Sequence, residues 1–226
     1  MSGIFGGKQC SQMVCSECGK IKERIEDYYN MSLTIKDIGT VEEALKKQVE
    51  GDIISDYQCD GCNKKVDLSK RTLITETPNI LIVHLGRLVF NFDTFLNDKV
   101  NKMIKFPRVL DLKPFSYYEV MQNEGRLNKD GEQPEKPEDE DEDKAEEEDA
   151  EKKEDEEEPV EIVQDDCFEY KLVGVNVHSG TANAGHYWSY INTNRGIDEK
   201  ENDGGEWIST DKDPWMEFND SRVSDW

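Results

Sequence analysis

Positive charge is what this 226-residue chain has least of: 28 Lys and Arg stand against 51 Asp and Glu, for a formal net charge of −23. No segment offsets this, since residues 1–75 carry 11 basic and 12 acidic side chains. Phosphate binding needs a basic surface, so the balance argues against nucleic acid as a partner. Cysteine is also scarce, with six in all, too few for a disulfide scaffold. No apolar run approaches the roughly 18 residues of a membrane span. Met1-Ser2-Gly3-Ile4-Phe5-Gly6-Gly7 is not a secretory start. The expectation is a soluble intracellular protein, cytoplasmic or nuclear, with no membrane partner.

The charge imbalance is concentrated. Glu132 to Glu161 hold 19 acidic residues and 4 lysines, with almost no apolar side chain before Pro159. Such a stretch cannot bury enough surface to offset the entropy of ordering. It divides the chain into a globular segment 1–123, an acidic insert 124–161 expected to be disordered, and an aromatic-rich globular segment 162–226. In the first segment, Thr40-Val41-Glu42-Glu43 is a capping box opening a helix, with Val41, Leu45 and Val49 on one face and Gly51 as its stop. Asn79–Leu85 reads as a buried strand after Pro78, and Val109–Leu112 as a short strand or turn. In the last segment, Phe168–Val177 and Tyr187–Ile191 read as strands. The small and polar residues Ser179–Gly185 read as a mobile loop with His186 at its root.

Four of the cysteines form two identical spacings, Cys15-Ser16-Glu17-Cys18 and Cys59-Asp60-Gly61-Cys62. Thiolate knuckles of this kind hold tetrahedral zinc. The long gap between them is tolerable, because doubling a flexible loop costs only about 0.6 kcal/mol. A structural zinc is the favoured reading; four buried thiols or a redox Cys-x-x-Cys are the alternatives. Cys10 and Cys167 have no partner at metal spacing. Of the three histidines, His84 reads as a packed strand residue and His178 as structural or as a gate to the loop. His186 follows Gly185 at the loop's end. It suits a general base, with the polar run Asn219-Asp220-Ser221 able to hold its other ring nitrogen.

These pieces, in this order, resemble the ubiquitin-specific protease family of papain-like cysteine deubiquitinases. The residues that carry the resemblance are the two Cys-x-x-Cys pairs, Thr77–Leu85, Lys99-Val100-Asn101 with Phe106-Pro107, Tyr170–Val175 running into His178-Ser179-Gly180, Gly185-His186-Tyr187-Trp188-Ser189-Tyr190, and Trp215–Val223. Val89–Asn101 looks closest to the large multi-domain members. The resemblance implies an α+β, mostly antiparallel papain-like fold of the ubiquitin-specific protease type. Residues 1–123 would be zinc-binding fingers and the first part of the palm, and 162–226 the rest of the palm. It further implies Cys15, Cys18, Cys59 and Cys62 on a structural zinc, and His186 as base with Asn219 orienting it. Asp220 would support them, and Gly185 and Tyr187 would line the channel for ubiquitin's C-terminal tail. The implied partners are ubiquitin and ubiquitinated proteins. The family's cysteine box, and with it the thumb, is not found: Gly7-Lys8-Gln9-Cys10-Ser11-Gln12 does not match it. The expectation is therefore part of a thiol-dependent deubiquitinase that is inactive alone. The alternatives are a zinc-stabilised ubiquitin-binding module and a pseudoenzyme scaffold. His84-Leu85-Gly86-Arg87-Leu88 also departs from the family's usual run, keeping only the arginine in register.

Overall fold

A computed structural model describes residues 2–127, 167–194, 200–201, 207–208 and 214–226. Most of the expected acidic insert, residues 128–161, lies outside the described residues. The described fold runs past the expected boundary at 123: Glu124 caps a helix and Leu127 is buried. Two compact units interleave along the chain and so cut across the compositional segments. One comprises Met1–Tyr29, Gln48–Leu81 and Leu112–Phe168; the other comprises Asn30–Lys47, Ile82–Asp111 and Glu169–Trp226. Among the described residues all strand ladders but one are antiparallel. None of the described helices is long and apolar enough to cross a membrane.

In the first unit, strands β1 (Gly7–Cys15), β2 (Ile21–Tyr28), β3 (Asp52–Gln58) and β4 (Lys65–Glu76) form a sheet in the order β2-β1-β4-β3. It is two hairpins, β1–β2 and β3–β4, joined because β1 pairs with β4 from Lys8↔Glu76 to Cys15↔Leu68. Cys10 on β1 and Leu73 on β4 pair directly and are fully buried. Helix Tyr117–Asn123 packs Tyr117, Val120 and Met121 against them, the i, i+3, i+4 spacing that places three side chains on one face. Each large side chain so buried stabilises by about 1.5–3 kcal/mol. One polar residue enters this layer and is fully satisfied. The Gln12 amide donates to Glu23 and accepts from Arg71 Nε at 2.7 Å, and Arg71 forks onto Glu124 at 2.5 and 2.9 Å.

Helix Val41–Glu50 begins as the capping box requires. Thr40 Oγ1 accepts from Glu43 N at 3.1 Å, while Glu43 Oε2 accepts from Thr40 N at 3.1 Å and Gly39 N at 2.8 Å. Val41, Ala44 and Leu45 are buried. Gly51 ends the helix at φ +82°, where a Cβ would meet Lys70 O at 2.5 Å.

In the second unit, β5 (Gly174–Gly180), β6 (Gly185–Asn192), β7 (Trp215–Asn219) and β8 (Arg222–Asp225) form an antiparallel sheet in chain order. Smaller ladders pair Met31–Thr34 with Val83–Gly86 in parallel, Leu88–Asn91 with Leu96–Lys99, and Val109–Asp111 with Glu169–Lys171. Three sequence expectations are corrected here. The apolar run Asn79–Leu85 is not a buried strand. Only Val83–Gly86 is extended, against a four-residue partner, and Ile80 and Ile82 stay 46% exposed. The expected strand Phe168–Val177 breaks at Leu172-Val173, because its first part pairs with Val109–Asp111 and its second with β6. The expected loop Ser179–Gly185 is shorter, since Ser179 pairs with His186 and Gly180 with Gly185. Only Thr181–Ala184 turn, closed by Thr181 N donating to Ala184 O at 2.8 Å.

Candidate functional site

Each unit carries one cluster of chemically capable side chains. In the first unit the turns of both hairpins are cysteine knuckles. Cys15 N donates to Lys20 O and Cys59 N to Lys64 O, each at 3.0 Å. The fifth residue of each knuckle has a positive φ, +67° at Gly19 and +51° at Asn63. The two turns thus repeat one backbone design, for which Gly and Asn are the tolerant residues. Pairing of β1 with β4 sets them side by side. The four sulfur atoms of Cys15, Cys18, Cys59 and Cys62 lie within 4.8 Å of one another, with Cys18 Sγ and Cys59 Sγ 3.7 Å apart. Tetrahedral thiolates about 2.3 Å from an ion stand about 3.8 Å apart, so the cluster fits a metal ion. Gly61 lets the knuckles approach, because a Cβ there would sit 3.1 Å from Cys18 Sγ. Lys22 Nζ, on β2, bonds Asp60 Oδ2 of the other knuckle at 2.5 Å. Backbone N–H groups of Cys62 and Gly61 pull the Cys59 thiol down to about 6, whereas burial pushes Cys62 up to about 11.

The second cluster is set by strand parity. Successive side chains on a strand alternate between faces, and directly paired residues share one. His186, Trp188 and Tyr190 therefore project from one face of β6. The pairs Ser189↔Phe218 and Tyr190↔Glu217 put Glu217 and Asn219 of β7 on that same face. His186 Nε2 lies 2.6 Å from Asn219 Oδ1. The other end of that amide, Asn219 Nδ2, donates to Glu217 Oε1 at 3.2 Å. The amide nitrogen is thereby engaged by a carboxylate that can only accept, so the oxygen faces the ring. The hydrogen of His186 then belongs on Nε2, and Nδ1 keeps a lone pair. The ring lies near-parallel to Trp188, centroids 6.1 Å apart, and its side chain is 46% exposed. Asp220 occupies the β7–β8 turn at φ +52°, with its carboxylate 3.9 Å from His186 Nε2. It is beyond hydrogen-bond range and mostly solvated.

Tyr187 lies on the opposite face of β6 from His186, its ring tilted 31° against that of its direct pair His178 with centroids 4.4 Å apart. Gly185 is confined between these residues, for a Cβ would fall 2.1 Å from Ser179 O and 2.2 Å from His178 Nε2. His84 is exposed rather than packed, with Nδ1 3.3 Å from Ser32 Oγ. Two residues were present in recognised motifs without an assigned role. One is Glu217, two positions before Asn219, which is the same-face spacing of a strand. The other is Lys99, whose ammonium donates to His178 O and Gly180 O at 3.0 and 3.1 Å and so staples the hairpin end beside His186. Cys10 has no chemical opening: it is fully buried, and burial together with the charge of Glu23 pushes its thiol up to about 12.

Comparison with known proteins places this geometry. Ubiquitin carboxyl-terminal hydrolase 9X of Mus musculus is 31% identical over 228 residues, covering 100% of this chain and 8% of the relative. Ubiquitin carboxyl-terminal hydrolase puf of Drosophila melanogaster is 35% identical over 225 residues, covering 97% of this chain and 5% of the relative. The chain thus spans less than a tenth of the length of these relatives. Among solved structures, the SAGA Ubp8/Sgf11/Sus1/Sgf73 DUB module bound to ubiquitin aldehyde superimposes with a TM-score of 0.64 at 25% identity, over 99% of this chain and 38% of that one. The strand-rich, mostly antiparallel architecture is that of the papain-like ubiquitin-specific protease fold. The ubiquitin carboxyl-terminal hydrolase family matches from residue 1 to residue 226, and the chain belongs to that family.

Proposed function

We propose that this chain is the fingers and palm of a thiol-dependent deubiquitinase, with His186 as its general base and Asn219 as the group that orients it. The observation that carries the reading is the 2.6 Å contact of His186 Nε2 with Asn219 Oδ1 on an exposed ring; with the amide nitrogen turned to Glu217, Nδ1 is left able to accept a proton. Asp220 adds negative charge beside the ring. Gly185 and Tyr187, at the same hairpin end, line the channel for ubiquitin's C-terminal Gly-Gly. The cysteine knuckles hold a structural zinc: a four-thiolate set leaves no open coordination position, and the site's work is to fix the two finger hairpins. The partner is ubiquitin, as in the structural relatives whose DUB modules were solved with ubiquitin aldehyde or monoubiquitin.

The nucleophile is a cysteine supplied from outside these 226 residues. Cys10 is buried and four others are gathered at the metal cluster. Cys167 is preceded by Asp165-Asp166 and not by the Asn and Gly of the family's cysteine box. In the reaction the thiolate attacks the isopeptide carbonyl and forms a C–S bond. The protonated His186 gives its proton to the departing lysine amine as the C–N bond breaks. His186 then takes a proton from water, whose oxygen displaces the thiolate and frees the ubiquitin carboxylate. The test uses a ubiquitin derivative with an electrophile at its C-terminus, offered to this chain alone and to this chain fused to an upstream segment bearing a cysteine box. No adduct forms in the first arm. Labelling and cleavage appear in the second and fall about 10²–10⁴-fold with His186→Ala. Unchanged turnover in the fused His186→Ala variant refutes the base, and labelling of Cys10 refutes the placement of the nucleophile. Tight ubiquitin binding without turnover in either arm would leave a binding module.

A further inference from the structure

An asparagine is an ambiguous partner for a histidine. Its two ends differ only in whether they donate or accept, and a half-turn of the amide exchanges them. With Oδ1 toward His186 the ring carries its hydrogen on Nε2 and keeps Nδ1 free. With Nδ2 toward the ring, Nε2 must accept, the hydrogen moves to Nδ1, and the free lone pair is lost. Nothing in the His186–Asn219 contact alone selects between these. The selection comes from β7 itself. Glu217 lies two residues before Asn219, on the same face, and Asn219 Nδ2 donates to its Oε1 at 3.2 Å. Reversing the amide would set Oδ1 against a carboxylate oxygen. The carboxylate is held in turn from β6, where Tyr190, its direct pair, donates its hydroxyl to Glu217 Oε2 at 3.3 Å. Trp226 packs on the Tyr190 ring at 5.1 Å.

We propose that Glu217 is a positioning residue that fixes the amide orientation of Asn219, and through it the proton-bearing nitrogen of His186, with Tyr190 holding the carboxylate. The inference rests on the role given above to His186, but its test does not depend on catalysis. A hydrogen bond to a charged acceptor gives a preference of about tenfold or more between the two amide orientations. Substituting Glu217 removes that preference. Replacing Asn219 by Asp removes the need for it, since both carboxylate oxygens accept.

The experiment follows the His186 ring in the whole chain labelled with ¹⁵N at histidine, using long-range ¹H–¹⁵N correlations that report which nitrogen carries the hydrogen. The original chain shows hydrogen on Nε2. Glu217→Leu shows a mixture of the two tautomers. Glu217→Gln, which keeps an acceptor oxygen and the side-chain shape, stays mostly Nε2–H and guards against a folding artefact. Glu217→Leu combined with Asn219→Asp returns to a single Nε2–H form. A single Nε2–H form in Glu217→Leu overturns the proposal, and so does a double variant as mixed as the single one, which would indicate general loosening of the sheet. In the fused, active domain, Glu217→Leu lowers kcat severalfold and leaves KM unchanged. Loss of tautomer control together with a fused domain that never cleaves ubiquitin would leave the positioning role standing and remove the hydrolase reading. Normal cleavage with an unmixed ring in Glu217→Leu would do the reverse.

Discussion

Removing the metal should loosen one end of the first unit and spare the other. The knuckle end has little else to hold it: its cluster of buried side chains is Cys15, Cys59 and Val66, with Tyr57 and Cys62 packed alongside. Two of those three belong to the four-cysteine cluster that could hold the metal. The other cluster, around Cys10 and Leu73, is built by helix Tyr117–Asn123. It sits five residues along β1 from Cys15, about 17 Å at the rise of an extended strand. A ligand that binds only the folded form stabilises it by about 4.1 kcal/mol at a thousandfold excess over its dissociation constant. At that free-zinc level, chelation should therefore cut protection from hydrogen exchange about a thousandfold wherever opening releases the ion. Those positions are the amides of Cys15, Gly19 and Cys59, each hydrogen-bonded inside a knuckle. Amides of β1 and β4 beside Cys10 and Leu73 should change by less than about tenfold, since local opening need not carry the distant core with it. Cys59→Ser should reproduce the effect without chelator, and metal analysis should give close to one zinc per chain before treatment and none after. Knuckle amides still protected after chelation would refute a structural metal. Uniform loss of protection across the unit would refute the separation of the two clusters.

Three further outcomes follow from single contacts. Thr40→Ala removes the acceptor for Glu43 N and should lower stability by about 1 kcal/mol, read as a reduced denaturation midpoint with unchanged slope. Glu124→Gln breaks the fork with Arg71, whose side chain is 10% exposed, and should cost about 1–3 kcal/mol at pH 7. Arg71 holds the Glu124 carboxyl below its ordinary value of 4.5. That contribution is complete above the ordinary value and is lost as pH falls through the lowered one. Variant and parent should therefore converge in acid, and a gap that persists there would place the effect elsewhere. Cys10, with its thiol pushed up to about 12, is only about 10⁻⁵ thiolate at neutral pH. Alkylation in native buffer should leave it untouched and modify it only with denaturant, as mass mapping would show.

What could be read from the residues alone was whatever is decided within a few positions. The helix start at Thr40 needed only the reciprocal bonds of Thr40 and Glu43. The paired cysteine spacings needed only their own turns, although the left-handed position of the second knuckle, Asn63, shows only in the structure. The failures share a cause. Apolar content does not say which partner a strand meets. Asn79–Leu85 is as apolar as a central strand, yet its extended part finds one four-residue neighbour. Phe168–Val177 alternates smoothly, yet it changes partner midway and its ladders break at Leu172-Val173.

The histidine site shows the same limit from the other side. His186 and Asn219 are 33 positions apart, and their types suggest a base and its orienting group, but only the register between β6 and β7 brings them together. A one-residue slip of β7 would send Glu217 and Asn219 to the far face and leave His186 opposite an apolar side chain. That register is held by residues with no chemistry of their own. Thr193 anchors the strand ends, its N–H and hydroxyl both donating to Pro214 O at 3.0 and 3.1 Å. Trp226 N donates to Trp215 O at 3.1 Å and fixes β8 against β7 in turn. Met216 and Phe218 alternate with Glu217 and Asn219, so a slip would also exchange these two apolar side chains for the two polar ones on each face. The register of a five-residue strand therefore decides whether Asn219 meets His186 at all.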